Sequence, residues 1–512
     1  MTRIHFIGIG GIGMSGLAAM CADHGFTVTG SDRDAAKPEN RRILDALELA
    51  GIRIYPQDGS FAADGLPDLL AYSTAIEEGN PDFKAAPGLP RLHRAELLER
   101  MIEQAGYRNT IAVTGSCGKS TVTAYLAEAL VNLGVDPDCL DGALIKRFRG
   151  GRFAGNYRSG SRRYFVFEAD ESDKSLLRYS PDYALVLNLG TDHYDKQELA
   201  RVFGEFLGRV RKGAVIERSV YDAVQPYLKP DGPELVVFDA EPRPDSRYAV
   251  TDYRNVTRAA AIYSRGRRQE IAATGDRAAF DLAGANNALG IYGIHQEECR
   301  IEERATLAEF SGGRKLVLPQ PGYHTALNAL AIDAMLELLG FDREAALEAL
   351  ERFDGVWRRN DYAGMTVSGA MVFDDYAHNP EKILSCLRAL RENCSGNLYA
   401  VFQPHGFKPF GFMKDELFRD LEPELRNGDR FILLPPFYAG GTTSFSPKSE
   451  EVCDEWKSRT RRPRRYLFFP NRELLTDYLL LQTGPGDLIV IMGARDNSLS
   501  DYAASLTMEG QS

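Results

Sequence analysis

Val113-Thr114-Gly115-Ser116-Cys117-Gly118-Lys119-Ser120-Thr121 is the segment whose residue types and spacing most directly imply chemistry. It joins an apolar run, TIAVTG, to a stretch with helical spacing, TVTAYLAEALVNLG. Glycines at such a strand-to-helix turn let the backbone wrap a phosphate, while the helix N-terminus and Lys119 supply positive potential. Ser120 or Thr121 offers a hydroxyl to Mg²⁺. The spacing, G-x-x-G-K-S, is shorter than the general G-x-x-x-x-G-K-[ST] pattern, so the strand–loop–helix setting carries the reading.

Three further groups sit at the ends of expected strands. Gly8-Ile9-Gly10-Gly11-Ile12-Gly13 satisfies G-x-G-x-x-G, with Asp32 following where a ribose contact would lie. This is either a dinucleotide site or a glycine turn packing a helix on a sheet. Glu168-Ala169-Asp170-Glu171-Ser172-Asp173 and Thr191-Asp192-His193 end two neighbouring strands. Beside a phosphate loop such groups hold Mg²⁺ through oxygen ligands; alternatively, at least two of the four carboxylates cap turns. Asp374-Asp375-Tyr376-Ala377-His378-Asn379-Pro380 ends a later strand, and its residues also suit an ordinary turn. Arg358-Arg359 and His405-Gly406-Phe407-Lys408 fall at loop positions, with solvated surface as the plain alternative.

The elements that must position these groups alternate between strand and helix. IHFIGIG, FTVTGSD and LLAYSTAI read as strands around helices at Met14 to His24 and ILDALELAG, a doubly wound sheet. A second unit runs through TIAVTG, YFVFEAD, YALVLNLG and a helix from Lys196 to Val210. Residues from about Asp231 to Gln320, rich in Pro, Gly and Arg, suggest loops and antiparallel strands. ALNALAIDAMLELLG reads as an amphipathic helix on Leu327, Leu330, Ala331 and Met335. A third unit follows near Gly355: AMVFDDYA, NLYAVFQPH, DRFILLPPF and GDLIVIMGA as strands, EKILSCLRALREN and RELLTDYLLLQ as helices.

The 512 residues suit about three domains. A net charge of −11 argues against a nucleic-acid binder, which needs a basic surface, but leaves room for anions held locally. Seven scattered cysteines without C-x-x-C point away from disulfides and zinc ribbons and toward a reducing compartment. Without a signal-like N-terminus or an apolar stretch of spanning length, a cytoplasmic protein with no membrane partner is expected.

In order along the chain, these motifs resemble the Mur ligase family. HFIGIGGIGMSGLA, TGSDRD, YSTAI, NPDF and LHRAELLERM resemble its UDP-sugar domain. VTGSCGKSTVTAYL is similar to its phosphate loop, EADESDKS to its acidic strand end and NLGTDHYD to its histidine turn. PGYHTALNALA, FDGVWRRND, DDYAHNP, FQPH and GDLIVIMGA complete the series. The resemblance implies an α/β fold in three domains. These are a Rossmann-like UDP-binding domain (1–107), a central P-loop ATPase domain with a parallel sheet (108–353) and a C-terminal Rossmann-like α/β domain (354–512).

It also implies an ATP-dependent acid–amino-acid ligase of peptidoglycan precursor synthesis. ATP would convert the carboxylate of UDP-N-acetylmuramate to an acyl phosphate, which the amine of an amino acid, L-alanine in first place, attacks. A recycling ligase attaching a preformed peptide, a Mur-like ligase of another substrate and a non-catalytic nucleotide-binding scaffold are the alternatives. By resemblance, Gly10, Gly11, Gly13, Met14, Ser15, Asp32, Ser73 and Thr74 would hold the sugar nucleotide. Gly115, Ser116, Cys117, Gly118, Lys119, Ser120 and Thr121 would hold ATP phosphates, with His324 and Asn328 at the adenine. Ser120 and Thr121 would join one Mg²⁺, and Glu168 and His193 a second. Arg359 and Asp375 would serve phosphate and ribose, and His378 would lie near the incoming amine. Ser116 and Cys117 stand where the family usually has Thr and His. Ala377 and Asn379 replace Gly and His, and Gly406-Phe407-Lys408-Pro409 replaces Arg-Tyr-Thr-Arg. Lys196 lies too close to the histidine turn to match the family's carbamylated lysine.

Overall fold

Short runs of apolar residues without alternation become parallel strands buried on both faces. In the computed structural model they build three parallel-rich sheets. The structure describes residues 2–37, 41–190, 195–264, 267–271, 299–320, 322–392, 394–437, 445–494 and 496–508. These fall into two units: Met1–Tyr253 with Ala308–Leu318 and Thr325–Trp357, and Arg254–Leu307 with Pro319–His324 and Arg358–Ser512.

The first unit opens with β1 (Arg3–Ile7), β2 (Thr27–Asp32), β3 (Arg53–Pro56), β4 (Leu69–Tyr72) and β5 (Arg91–His93), ordered β3-β2-β1-β4-β5 and all parallel. The order reverses at β1, so the loop after β1 opens at the switch point where α/β sheets bind ligands. Helix α1 (Ile12–Asp23) starts there.

The same unit carries a second sheet: β6 (Asn109–Thr114), β7 (Asp138–Leu140), β8 (Tyr157–Arg158), β9 (Tyr164–Glu168), β10 (Tyr183–Val186), β11 (Gly213–Glu217) and β12 (Glu234–Phe238). Its order is β12-β11-β10-β6-β9-β7-β8, parallel except where β8 meets β7. The two sheets share one core: Met14, Leu17 and Leu98 lie in the same buried cluster as Leu140, Tyr157 and Phe165. Gly16 permits this approach, because a Cβ there would sit 2.7 Å from Leu140 Cδ1.

In the stretch expected to hold loops and antiparallel strands, Val250–Ser264 pairs antiparallel with Arg267–Ile271. The helix Tyr323–Leu338 departs from the amphipathic reading. Ala326, Ala329, Leu330, Ala331, Ile332, Ala334, Met335 and Leu336 are all buried, covering nearly every side, and Leu327 is only half-buried. A helix apolar all round belongs inside a core.

The second unit's sheet runs Asp361–Met365, Met371–Asp375, Leu488–Met492, Leu398–Phe402, Arg430–Leu433 and Tyr466–Phe468, parallel except for its first pair. His405 to Lys408, expected in a loop, instead lead into a helix, Phe407–Glu424. Pro409 lies in that helix's first turn, where its missing N–H costs nothing. Among the described residues no disulfide forms, and no helix is long and apolar enough to cross a membrane.

Candidate active site

β6 ends at Thr114, and α5 (Lys119–Asn132) begins after Gly118. Gly115 and Gly118 adopt φ of +141° and +85°, in the left-handed region that favours glycine. Gly118, the cap, brings no side-chain hydrogen bond to the first-turn N–H groups of α5, groups that have no partner within a helix.

Four hydrogen bonds tie the loop to the turn after β10. Asn188 accepts from the Cys117 N–H through Oδ1 (2.8 Å) and donates through Nδ2 to the Cys117 carbonyl (2.9 Å). The Ser116 N–H donates to the Asn188 carbonyl (3.4 Å), and Ser116 Oγ accepts from the Gly190 N–H (2.7 Å). Sequence reasoning gave Asn188 no role; only its place after an apolar strand beside a phosphate loop pointed to it. The hydroxyl of Ser116 is what the Thr-to-Ser replacement retains.

Lys119 Nζ donates to the Gly115 carbonyl (2.9 Å) and to Glu171 Oε2 (2.7 Å). Burial acts to lower the ammonium's pKa, but Glu171, Glu168 and Asp170 outweigh it and hold the group above its ordinary value. Ser120 Oγ donates to Glu168 Oε2 (2.8 Å), which also accepts from the Gly142 N–H (3.2 Å). A hydroxyl and a carboxylate meeting here are donors of the hard kind that Mg²⁺ takes, one or two protein oxygens being completed by phosphates and water. Among the described residues, no cluster of three or more His, Cys, Asp or Glu side chains forms a metal cage. Thr121 is half-buried beside Ser120, while Thr191 to Tyr194, with His193, lie outside the described residues. Asp170 and Asp173 cap their own turn, accepting from the Ser172 and Ser175 N–H groups.

The first glycine loop meets this site within the same unit. A cleft of about 50 Å³ has Gly13 and Arg94 on one side and Gly142, Glu168 and Asp170 on the other. Arg94 pairs with Asp170 at 3.2 Å. Asp32 turns its carboxylate inward to accept from the Gly10 N–H (2.8 Å) and the Asp34 N–H (2.9 Å), and burial raises its pKa. Its carboxylate therefore shapes the glycine loop. Met14 and Ser15 are buried, and Ser15 Oγ binds the Ile12 carbonyl and Asn156 Nδ2. Gly11 lies in the turn before α1, and Ser73 and the exposed Thr74 follow β4.

Asn328 faces the phosphate loop: a Cβ on Gly118 would lie 3.7 Å from its Oδ1. His324, one helical turn earlier, is pushed down to about 4 by burial.

In the second unit, Arg358 overturns the solvated-surface alternative. It is wholly buried, pairs with Asp374 (3.1 Å) and donates to the carbonyls of Gly493 (2.6 Å) and Asp496 (3.1 Å). The neighbouring Arg359 is half-buried, over the Tyr376 ring. Asp375 accepts from the N–H groups of Asn360 (2.7 Å) and Ala377 (2.8 Å). Burial raises its pKa against the pull of Arg359. His378 holds the Tyr376 carbonyl through Nδ1 (2.9 Å) and meets His405 edge to face at 5.3 Å. Burial, then Lys382, push His378 down to about 3, so it is a neutral imidazole at pH 7. His405, expected at a loop position with solvated surface as the alternative, is half-buried.

Residues 3–105 match the model of the Mur ligase family, catalytic domain, and residues 358–495 that of the Mur ligase, glutamate ligase domain. The chain is 31% identical to a UDP-N-acetylmuramate–L-alanine ligase of Sinorhizobium fredii, covering 99% of this chain and 97% of that one. It is 30% identical to the ligase of the same name from Lachnospira eligens, covering 96% of each. Two solved structures share the fold. UDP-N-acetylmuramate–alanine ligase of Thermotoga maritima aligns with a TM-score of 0.70 at 24% identity over 98% of both chains. A murein peptide ligase of Psychrobacter arcticus aligns at 0.63 and 21% identity over 99% of this chain and 98% of that one.

Proposed function

The chain belongs to the Mur ligase family, and from that premise we propose that it joins L-alanine to the carboxylate of UDP-N-acetylmuramate while ATP becomes ADP and phosphate. The carrying observation is the cleft in the first unit. There Gly13, in the first turn of α1 just after the glycine turn, lines the same cleft as Glu168 and Asp170, and Lys119 at the start of α5 binds the neighbouring Glu171. A sugar nucleotide anchored by its diphosphate on the first loop would bring its own carboxylate toward a γ-phosphate on the second.

Two anions must approach each other in such a transfer, so positive charge has to offset their repulsion. Lys119 serves that role at the phosphates. Ser120 and Thr121 would hold one Mg²⁺, and Glu168 with His193 a second; the ions would supply charge neutralisation and orientation at the phosphates. Asn328 and His324 are assigned to the adenine, and Arg359 and Asp375 to phosphate and ribose. His378, already neutral at pH 7, can sit beside an amine without repelling it or protonating the nucleophile. The division at 107 and 353 into sugar-nucleotide, ATPase and amino-acid domains belongs to the same reading.

Gly406-Phe407-Lys408-Pro409 leads into the helix after His405, so the added group is best settled by competition. ADP release is measured with UDP-N-acetylmuramate and each proteinogenic amino acid, and separately with a preformed tripeptide. L-Alanine is expected to give the highest kcat/KM. Turnover with the peptide alone would make the chain a recycling ligase, and turnover with neither would refute the reading.

A further inference from the structure

Glu171 is the one residue of the acidic strand end whose carboxylate is bound to the catalytic lysine. Its side chain is almost fully buried, and its Oε2 lies 2.7 Å from Lys119 Nζ. The lysine also donates to the Gly115 carbonyl, 2.9 Å away. Glu168, by contrast, is engaged by Ser120 and the Gly142 N–H, while Asp170 is engaged by Arg94 and its own turn. The strand end thus divides its labour: one carboxylate for the hydroxyl, one for the first sheet, one for the lysine.

We propose that Glu171 is a positioning residue that holds Lys119 in the nucleotide-free loop and must surrender it when phosphates enter. The inference rests on the nucleotide reading of this loop. A phosphate that recruits Lys119 must break a buried, charge-assisted contact and leave Glu171 among like charges, next to Asp170. Removing one partner of a buried pair is costly, so the nucleotide's gain from Lys119 is reduced by what Glu171 loses. Glu171 therefore lowers nucleotide affinity while holding the lysine beside the Gly115 carbonyl. It also offsets the positive charge of Lys119, which makes the loop a poor trap for stray anions.

The test is calorimetric titration of Mg·ADP into the full-length wild type and into Glu171→Gln, which keeps the shape and removes the charge. The variant is expected to bind about tenfold more tightly, a coupling of ordinary size for two linked equilibria. Its KM for ATP in ligation should fall in parallel, without a rise in kcat. Glu171→Asp keeps the charge but shortens its reach. It should shift affinity the same way by a smaller factor, and it carries the test if the amide variant does not fold. Unchanged or weaker Mg·ADP binding in a folded variant overturns the proposal, because a merely structural or metal-binding Glu171 gives no gain. Failure of the wild type itself to bind Mg·ADP would instead overturn the nucleotide reading.

Discussion

His378 and His324 show how burial sets the working state of a residue before any ligand arrives. Their folded values of about 3 and about 4 lie below the usual 6.5, so the unfolded chain takes up the proton first as pH falls. The stability they contribute is complete above pH 6.5 and is lost progressively as pH drops toward the folded values. The melting temperature is expected to fall between pH 7 and pH 5, and His378→Gln should lessen that fall relative to wild type; an equal fall in both would place the titration elsewhere. At this scale the sequence was legible where chemistry is local. Lys119, Ser120 and Glu168 stand out because loop, helix start and strand end are neighbours in a parallel sheet. Asn188 did not, and Glu171 stood out only as one carboxylate of the acidic strand end; the partners that define them lie 71 and 52 residues away. Arg358 and Arg359 look alike in sequence, yet one neutralises Asp374 inside the unit and the other keeps a half-exposed guanidinium.

Gly115 is the point at which β6 hands over to the loop, and its geometry allows no side chain. A Cβ there would meet Leu187 Cβ at 3.0 Å and the Asn188 N at 3.2 Å, with φ at +141°. Gly115→Ala is therefore expected to push the Asn188 turn away from Cys117, costing about 1–2 kcal/mol from backbone strain alone. Mg·ADP affinity should fall about tenfold or more, while far-UV circular dichroism stays native; unaltered affinity would mean that the clasp between loop and turn does not shape the site. Elements were easy to read where burial leaves an uninterrupted apolar run, as in Leu488–Met492, whose every residue is buried. The helix Phe407–Glu424 was hidden because Gly406, Pro409 and Gly411 at its start are turn residues by habit, tolerated here at a first turn. The helix Tyr323–Leu338 was recognised as a helix but not as a buried one. Its alanines permit close packing on all sides, which a pattern of large apolar residues does not reveal.

Across the whole chain the acidic balance, −11, stands against two polyanionic substrates. Under the proposed reaction, binding would come from local devices: helix starts, glycine turns, Lys119 and Arg94, together with Mg²⁺. The succession of α/β units was legible, because strand and helix alternate along nearly the entire sequence. The sharing of one core by the first two sheets was not, since Gly16 against Leu140 is a contact between segments that nothing local relates. The central claim is that the carboxylate of the sugar nucleotide is activated by phosphoryl transfer. In that reaction a carboxylate oxygen bonds to the γ-phosphorus as the bond from that phosphorus to ADP breaks; the amine then bonds to the carbonyl carbon and loses a proton, and the carbon–oxygen bond to the phosphate breaks. Ligation with UDP-N-acetylmuramate carrying a heavy-oxygen label in its carboxylate, followed by mass spectrometry of the released phosphate, tests this directly. The account predicts one labelled oxygen in each phosphate released, in step with the amide formed; unlabelled phosphate would contradict it, because ATP would then be losing its phosphate to water.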